Sequence, residues 1–127
     1  MEKIKLAFSE ADFRINHKKR RIRCVLDFQV KGDQKTLRML EAFTQITNDP
    51  LEGRVVVDVT PSKDDEFCVD TGCKVARARA EKAAYRRMAR FFGRFATFVH
   101  AMTIEIGDFN EKAYNTIEHN VNYLKQF

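Results

Sequence analysis

Five basic residues, Arg79, Lys82, Arg86, Arg90 and Arg94, recur every three or four positions in a stretch that reads as helix. That spacing sets them in one row along the helix surface. On a wheel of about 100° per residue they fall within an arc of about 120°, with Arg87 at its edge. Between Lys74 and Arg94 the only acid is Glu81. Like charges four residues apart repel, and a helix that needed only solubility would alternate signs. Such a row invites an anion: the phosphates of a nucleic acid or nucleotide, or the carboxylates of a protein surface. A second cluster, Arg14, Lys18, Lys19, Arg20, Arg21 and Arg23, surrounds a polar reversal at His17-Lys18-Lys19. A Lys/Arg-rich hairpin tip can track a phosphate backbone or enter a groove. No aromatic residues are interleaved with it, so stacking on single-stranded bases is not indicated. Each cluster also has an ordinary explanation. The helix row could be neutralised by acids such as Asp64, Asp65, Glu66 and Asp70 or by a second subunit, and lysines on a strand edge deter edge-to-edge pairing.

Other chemistries find less support. Asp58 followed by Asp64, Asp65 and Glu66 offers oxygen ligands for Mg²⁺, but no Glu-x-Lys strand pair completes a nuclease-like site. The chain lacks Gly-x-Ser-x-Gly, a phosphate-binding P-loop and Gly-x-Gly-x-x-Gly. Cys68 and Cys73 are five apart without a second Cys/His pair, and His17, His100 and His119 are scattered, which does not make a zinc site. The expectation is therefore no catalytic residues, no metal and no cofactor, with Cys24, Cys68 and Cys73 as buried or half-buried free thiols.

The chain has 127 residues, 44% of them apolar and 32% charged, with a net charge of +5. This length and composition predict one globular domain over 1–127 and exclude disorder. The apolar runs are too short to span a bilayer, which needs about 20 residues. The first residues show no long apolar segment or cleavage site, and three cysteines suit a reducing compartment, so the expected location is the cytoplasm. The modest total conceals a polarity: residues 14–23 carry +6 and residues 74–94 carry +7, against −8 in the remainder.

The elements that must position these charges follow from periodicity. Ile4, Leu6 and Phe8 alternate, and Phe13 and Ile15 resume the alternation after a bulge or turn at Ser9-Glu10-Ala11. Ile22, Cys24, Leu26, Phe28 and Val30 share one face of a strand whose other face carries Arg21, Arg23, Asp27, Gln29 and Lys31. Asp33 can cap a helix over 34–47 with stripe Leu37, Leu40, Phe43 and Ile46. A further strand runs over 54–60. Asp70 or Thr71 can cap a long basic helix from 72 to about 102, which either breaks at Gly93 or meets another chain. Its apolar stripe, from Ala80 and Ala84 through Met88, Phe91, Phe95, Phe98 and Met102, serves as core or as a homodimer helix pair. Thr103–Gly107 reads as a short extended piece or turn. A last helix over 109–126 carries Tyr114, Ile117, Val121 and Leu124. The fold class is α+β: an antiparallel sheet of three or more strands packed on helices, with a long basic amphipathic helix and a C-terminal helix.

One segment adds a resemblance. Val57-Asp58-Val59-Thr60-Pro61-Ser62-Lys63-Asp64-Asp65-Glu66-Phe67, then Asp70-Thr71-Gly72, Ala76 and Arg79-Ala80, resembles a pattern in small phage and prophage accessory proteins. That pattern is a strand, a short acidic loop with Pro and a closing aromatic, a helix-opening Gly, and Ala/Arg on the first turns. Thr60 stands where the pattern often has Cys or His. The resemblance implies an accessory protein, such as a counter-defence factor that inhibits a CRISPR nuclease or sequesters a small signalling nucleotide. The resulting expectation is a non-catalytic binder of nucleic acid or of the acidic surface of a nucleic-acid-binding protein. It would act through Lys18, Lys19, Arg20, Arg21, Arg79, Lys82, Arg86, Arg90 and Arg94, as a homodimer or without one, and with no membrane partner. The alternative is an oligomer that captures a small nucleotide.

Overall fold

Strict alternation makes β3 (Arg21–Lys31) the centre of the sheet: Ile22, Cys24, Leu26, Phe28 and Val30 are all at most 3% exposed. Burying each large apolar side chain of this kind stabilises the fold by about 1.5–3 kcal/mol. The structure, a computed structural model, describes residues 2–62 and 66–127. The expected contributions of Asp64 and Asp65, as helix-cap acids, metal ligands or partners for the basic row, lie outside the described residues.

Three further strands pair antiparallel with β3 in a four-stranded sheet. On one edge lie β1 (Lys5–Phe8) and β2 (Asp12–Asn16), which meet the C-terminal and N-terminal halves of β3 respectively. Phe8 pairs with Phe28 and Asp12 with Val25, so Ser9, Glu10 and Ala11 oppose only two residues of β3. This is a bulge with one extra residue, as the broken alternation predicts. It is pinned by the Ser9 N–H, which donates to the Asp27 carbonyl at 2.9 Å, and by the Asp27 N–H, which donates to Ser9 Oγ at 3.2 Å. The hairpin from β2 to β3 turns at residues 17–20. The Lys19 N–H donates to Asn16 Oδ1 at 3.0 Å, and Arg20 takes a left-handed φ of 52° to complete the turn. On the other edge, β4 (Glu52–Val59) buries Val55 and Val59.

Helix α1 (Gln34–Thr47) begins after Asp33. The Asp33 carbonyl accepts the Leu37 N–H at 2.9 Å, while its side chain makes no cap bond. Leu40 and Phe43 are buried, whereas Ile46, at the end of the expected stripe, is exposed. Asn48 closes the helix in the left-handed conformation that short polar side chains tolerate, and its N–H donates to the Thr44 carbonyl.

Helix α2 (Val69–Leu124) corrects two expectations. The chain stays helical at Gly93 and through Thr103–Gly107, so the basic helix and the C-terminal helix are one element. A lone Gly costs a helix only about 1 kcal/mol relative to Ala, and Ile104 and Ile106, though β-branched, cost less than about 0.7 kcal/mol each. The start is also earlier than expected. Cys68, not Asp70 or Thr71, precedes the helix, and its carbonyl accepts the Gly72 N–H at 2.9 Å.

The chain forms two compact units, Met1–Phe91 and Phe92–Phe127. Within the first, α2 lies on the apolar face of the sheet. Ala76, Ala80 and Ala84 are fully buried there, followed by Met88 and Phe91. Small residues let the helix backbone approach: a Cβ on Gly72 would overlap Ile22 Cδ1. Tyr85 packs edge-on against Phe8, and Phe91 against Phe43, with ring centroids 5.7 and 5.5 Å apart. The second unit, Phe92–Phe127, is helical to Leu124. Most of its large apolar side chains, from Phe98 to Phe127, are exposed, so the core role open to Phe98 and Met102 is not realised within the chain, and Tyr114, Ile117, Val121 and Leu124 are exposed as well. Among the described residues no helix is long and apolar enough to cross a membrane.

Candidate anion-binding surface

The outer face of α2 is determined by its inner face. Ala76, Ala80, Ala84, Met88 and Phe91 turn toward the sheet, and helical spacing therefore directs Arg79, Lys82, Arg86 and Arg90 to the opposite side. All four side chains are exposed. Among the described residues none of the four has an acidic partner within ion-pair distance. Internal neutralisation, the ordinary explanation for the row, is thus not made by Glu66 or Asp70. Arg94, also exposed, belongs to the second unit.

The neighbouring cations of α2 are used differently. Arg77 Nε donates to Glu81 Oε1 at 3.1 Å, an i,i+4 pair that occupies the only acid of the basic stretch. The Arg87 guanidinium lies over the Phe28 ring, 5.4 Å from its centroid. There it is held by a cation–π contact and by the Gly53 backbone, which has no side chain to displace it. Neither residue belongs to the outward row.

The hairpin cluster divides in the same way. Arg14 and Arg23 turn onto the open face of the sheet, where acids meet them. Arg23 stands directly opposite Asp58 in the β3–β4 register, and its Nε and Nη2 donate to the two carboxylate oxygens at 2.8 and 3.2 Å. Two layers further, beyond Val25 and Val56, Arg54 binds Asp27 with the same two-pronged geometry, at 2.7 and 3.2 Å. Hydrogen bonding from these guanidinium groups holds the Asp58 and Asp27 carboxyls below the usual carboxylate range and raises Arg23 and Arg54 in turn. Arg14 lies 3.9 Å from Asp12. At the tip, Lys18, Lys19 and Arg21 are exposed and Arg20 is half-buried. The structure therefore places Arg14 and Arg23 against acids on the open face of the sheet, and Lys18, Lys19, Arg20 and Arg21 at the turn.

Asp58, taken by Arg23, is unavailable as a metal ligand in this arrangement. No group of three or more potential metal ligands occurs among the described residues. Cys24 is buried, Cys73 half-buried and Cys68 exposed, which corrects the expectation that all three thiols lie inside. Burial pushes the Cys24 thiol up, while hydrogen bonding from the Thr71 side chain and backbone draws the Cys68 thiol down. Cys68 is the residue that sequence reasoning missed. Its place before α2 carries no sequence signal, because Asp70 and Thr71, the residue types that usually cap helices, follow it closely. Phe67, which precedes it, packs edge-on against His17 at 5.9 Å and so ties the hairpin turn to the start of α2. A cleft of about 510 Å³ opens beside them, with Thr60, Pro61, Thr71 and Arg79 in its lining. The Gly72 N–H is spent inside the helix, so it does not offer the free backbone donor that a helix-opening glycine suggests.

Comparison with protein-family models, with curated proteins and with solved structures finds no match to this chain.

Proposed function

We propose that this chain is a non-catalytic binding protein that engages nucleic-acid phosphates through the outer face of α2, with the hairpin turn as a second set of contacts. The observation that carries the reading is the outward row Arg79, Lys82, Arg86 and Arg90, exposed and without an acidic partner among the described residues. A rigid helix covers one side of the sheet and holds four cations on a single line, an arrangement suited to a repeating anion and wasteful for a folded core. Lys18, Lys19, Arg20 and Arg21 supply additional positive charge at the turn. The likeness of residues 57–80 to phage accessory proteins supports a counter-defence role, in which the anion is a nucleic acid or the acidic groove of a CRISPR-type nuclease.

Titration with duplex DNA and RNA at increasing salt tests the reading. Four phosphate contacts predict that log K falls against log salt with a slope of about −3 to −4. Undetectable affinity at low salt, or affinity indifferent to salt, would falsify phosphate binding by this face. The cleft beside Arg79 favours a second reading, capture of a small signalling nucleotide by an oligomer. Saturable binding of a nucleotide that Arg79→Ala abolishes and Arg90→Ala leaves intact would select it over the first.

A further inference from the structure

The apolar stripe that α2 buries under the sheet does not stop where the first unit ends. Within Phe92–Phe127 it continues at Phe95, Phe98, Met102, Ile106 and Phe109, then Ala113, Ile117, Val121 and Leu124, in steps of three and four. That average of about 3.6 keeps one face apolar for the length of the helix. Met102 is 42% exposed and Phe109 70%, and Ile106, Ile117, Val121 and Leu124 are exposed as well. Chains that work alone rarely leave apolar patches larger than a few hundred Å² open to water.

We infer that this face is the interface for a second copy of the same chain, the two helices running antiparallel. Phe109 apart, the spacing is its own mirror image: from either end the steps are three, four and four, then seven across a centre between Phe109 and Asn110. An antiparallel pair therefore brings Phe95 against Leu124 and Phe98 against Val121, then Met102 against Ile117 and Ile106 against Ala113, each pair made twice about the two-fold axis. Large residues meet smaller ones in every layer but one, as interdigitating side chains require.

The charges flanking the stripe select the same arrangement. In an antiparallel pair each edge of the stripe faces the same edge of the other copy. Glu105 and Lys112 share one edge, His100 and Glu118 the other. In this register Glu105 comes within two residues of Lys112 from the second copy, and His100 within one residue of Glu118. A parallel pair would not bring Glu105 to Lys112, because both lie on the same edge and opposite edges meet in that arrangement. The acids also suit this half: residues 95–127 carry four Asp/Glu and two Lys, where residues 74–94 carry eight Lys/Arg and one Glu. The interface is independent of the anion-binding face and stands or falls separately from it.

Sedimentation equilibrium of the full chain, from nanomolar to tens of micromolar, tests the interface. The expected result is a reversible dimer. Met102→Glu combined with Ile117→Glu places two carboxylates in one layer and should leave only monomer, while the melting of the first unit is retained. Glu105→Lys should weaken the dimer about tenfold, and adding Lys112→Glu should restore it. Both charge changes are at exposed helix positions, and far-UV circular dichroism confirms that helix content is kept. A monomer at every concentration overturns the interface, as does a dimer that survives Met102→Glu with Ile117→Glu. A Glu105→Lys defect that Lys112→Glu does not repair overturns the antiparallel register.

Discussion

The two parts of α2 share one helical period and put it to different ends. Up to Phe91 the apolar face lies on the sheet and its residues are buried; from Phe98 onward the same face is exposed. Charge changes with it. Cations crowd the outer face where the inner face is covered, and acids enter where it is not. The contrast teaches that an amphipathic pattern states which face seeks cover without stating what covers it. Where the sheet provides the cover, the opposite face is turned outward with its cations. Where it does not, the apolar stripe itself is exposed.

The largest expected effect tests burial. Phe91→Ala should cost about 3–5 kcal/mol in chemical unfolding, whereas Phe109→Ala should cost less than about 1 kcal/mol in dilute solution. Equal costs would mean that the two parts of the helix do not differ as described. Next, Arg86→Glu with Arg90→Glu should lower affinity for duplex nucleic acid by at least about 100-fold, since two attractive phosphate contacts become repulsive. The melting temperature should hold or rise, because a row of like charges is relieved. A protein that loses stability along with binding would show that the row is structural after all.

A smaller effect concerns the neighbour of that row. A Cβ at Gly53 would stand 2.7 Å from Arg87 Nη1 and 2.9 Å from Phe28 Cζ. Gly53→Ala should therefore destabilise by about 1–3 kcal/mol, as an overpacked site does. If it also left nucleic-acid affinity unchanged, Arg87 would be confirmed as a packing residue set apart from the outward cations. The smallest effect belongs to the open face of the sheet. Arg23→Ala with Arg54→Ala should reduce thermal stability slightly at neutral pH and leave polyanion affinity nearly unchanged, because these arginines are held by Asp58 and Asp27. Both carboxyls are lowered in the folded chain, so their contribution is present above the unfolded carboxylate range near pH 4 and is lost as pH falls through the lower folded values. Thermal melts of variant and wild type should converge on acidification and diverge on return to neutral pH.

Much of the fold is legible residue by residue. The alternation from Ile22 to Val30 names the buried face of β3, and the break at Ser9-Glu10-Ala11 marks the bulge before the pairing is known. The threes and fours of Arg79, Lys82, Arg86 and Arg90 place them in a row on any helix. Other features hide for a physical reason. Gly93 and the Thr103–Gly107 stretch look like interruptions because local propensity is weak, yet a helix extended on both sides carries them at little cost. Cys68 at the start of α2 is disguised because Asp70 and Thr71, the residue types that usually cap helices, stand just after it.

By itself, then, the sequence determined the periods: which residues share a face, which faces are apolar, and where positive charge is concentrated. These are consequences of local backbone geometry, which repeats every two residues in a strand and every 3.6 in a helix. Only the tertiary structure decided the partners. Arg23 and Arg54 are quenched because the β3–β4 register sets them opposite Asp58 and Asp27, and a one-residue slip would have moved them to the other face. Arg86 and Arg90 remain turned outward because Ala80, Ala84 and Met88 are drawn onto the sheet. Register and cover depend on residues distant in sequence, and no local pattern contains them.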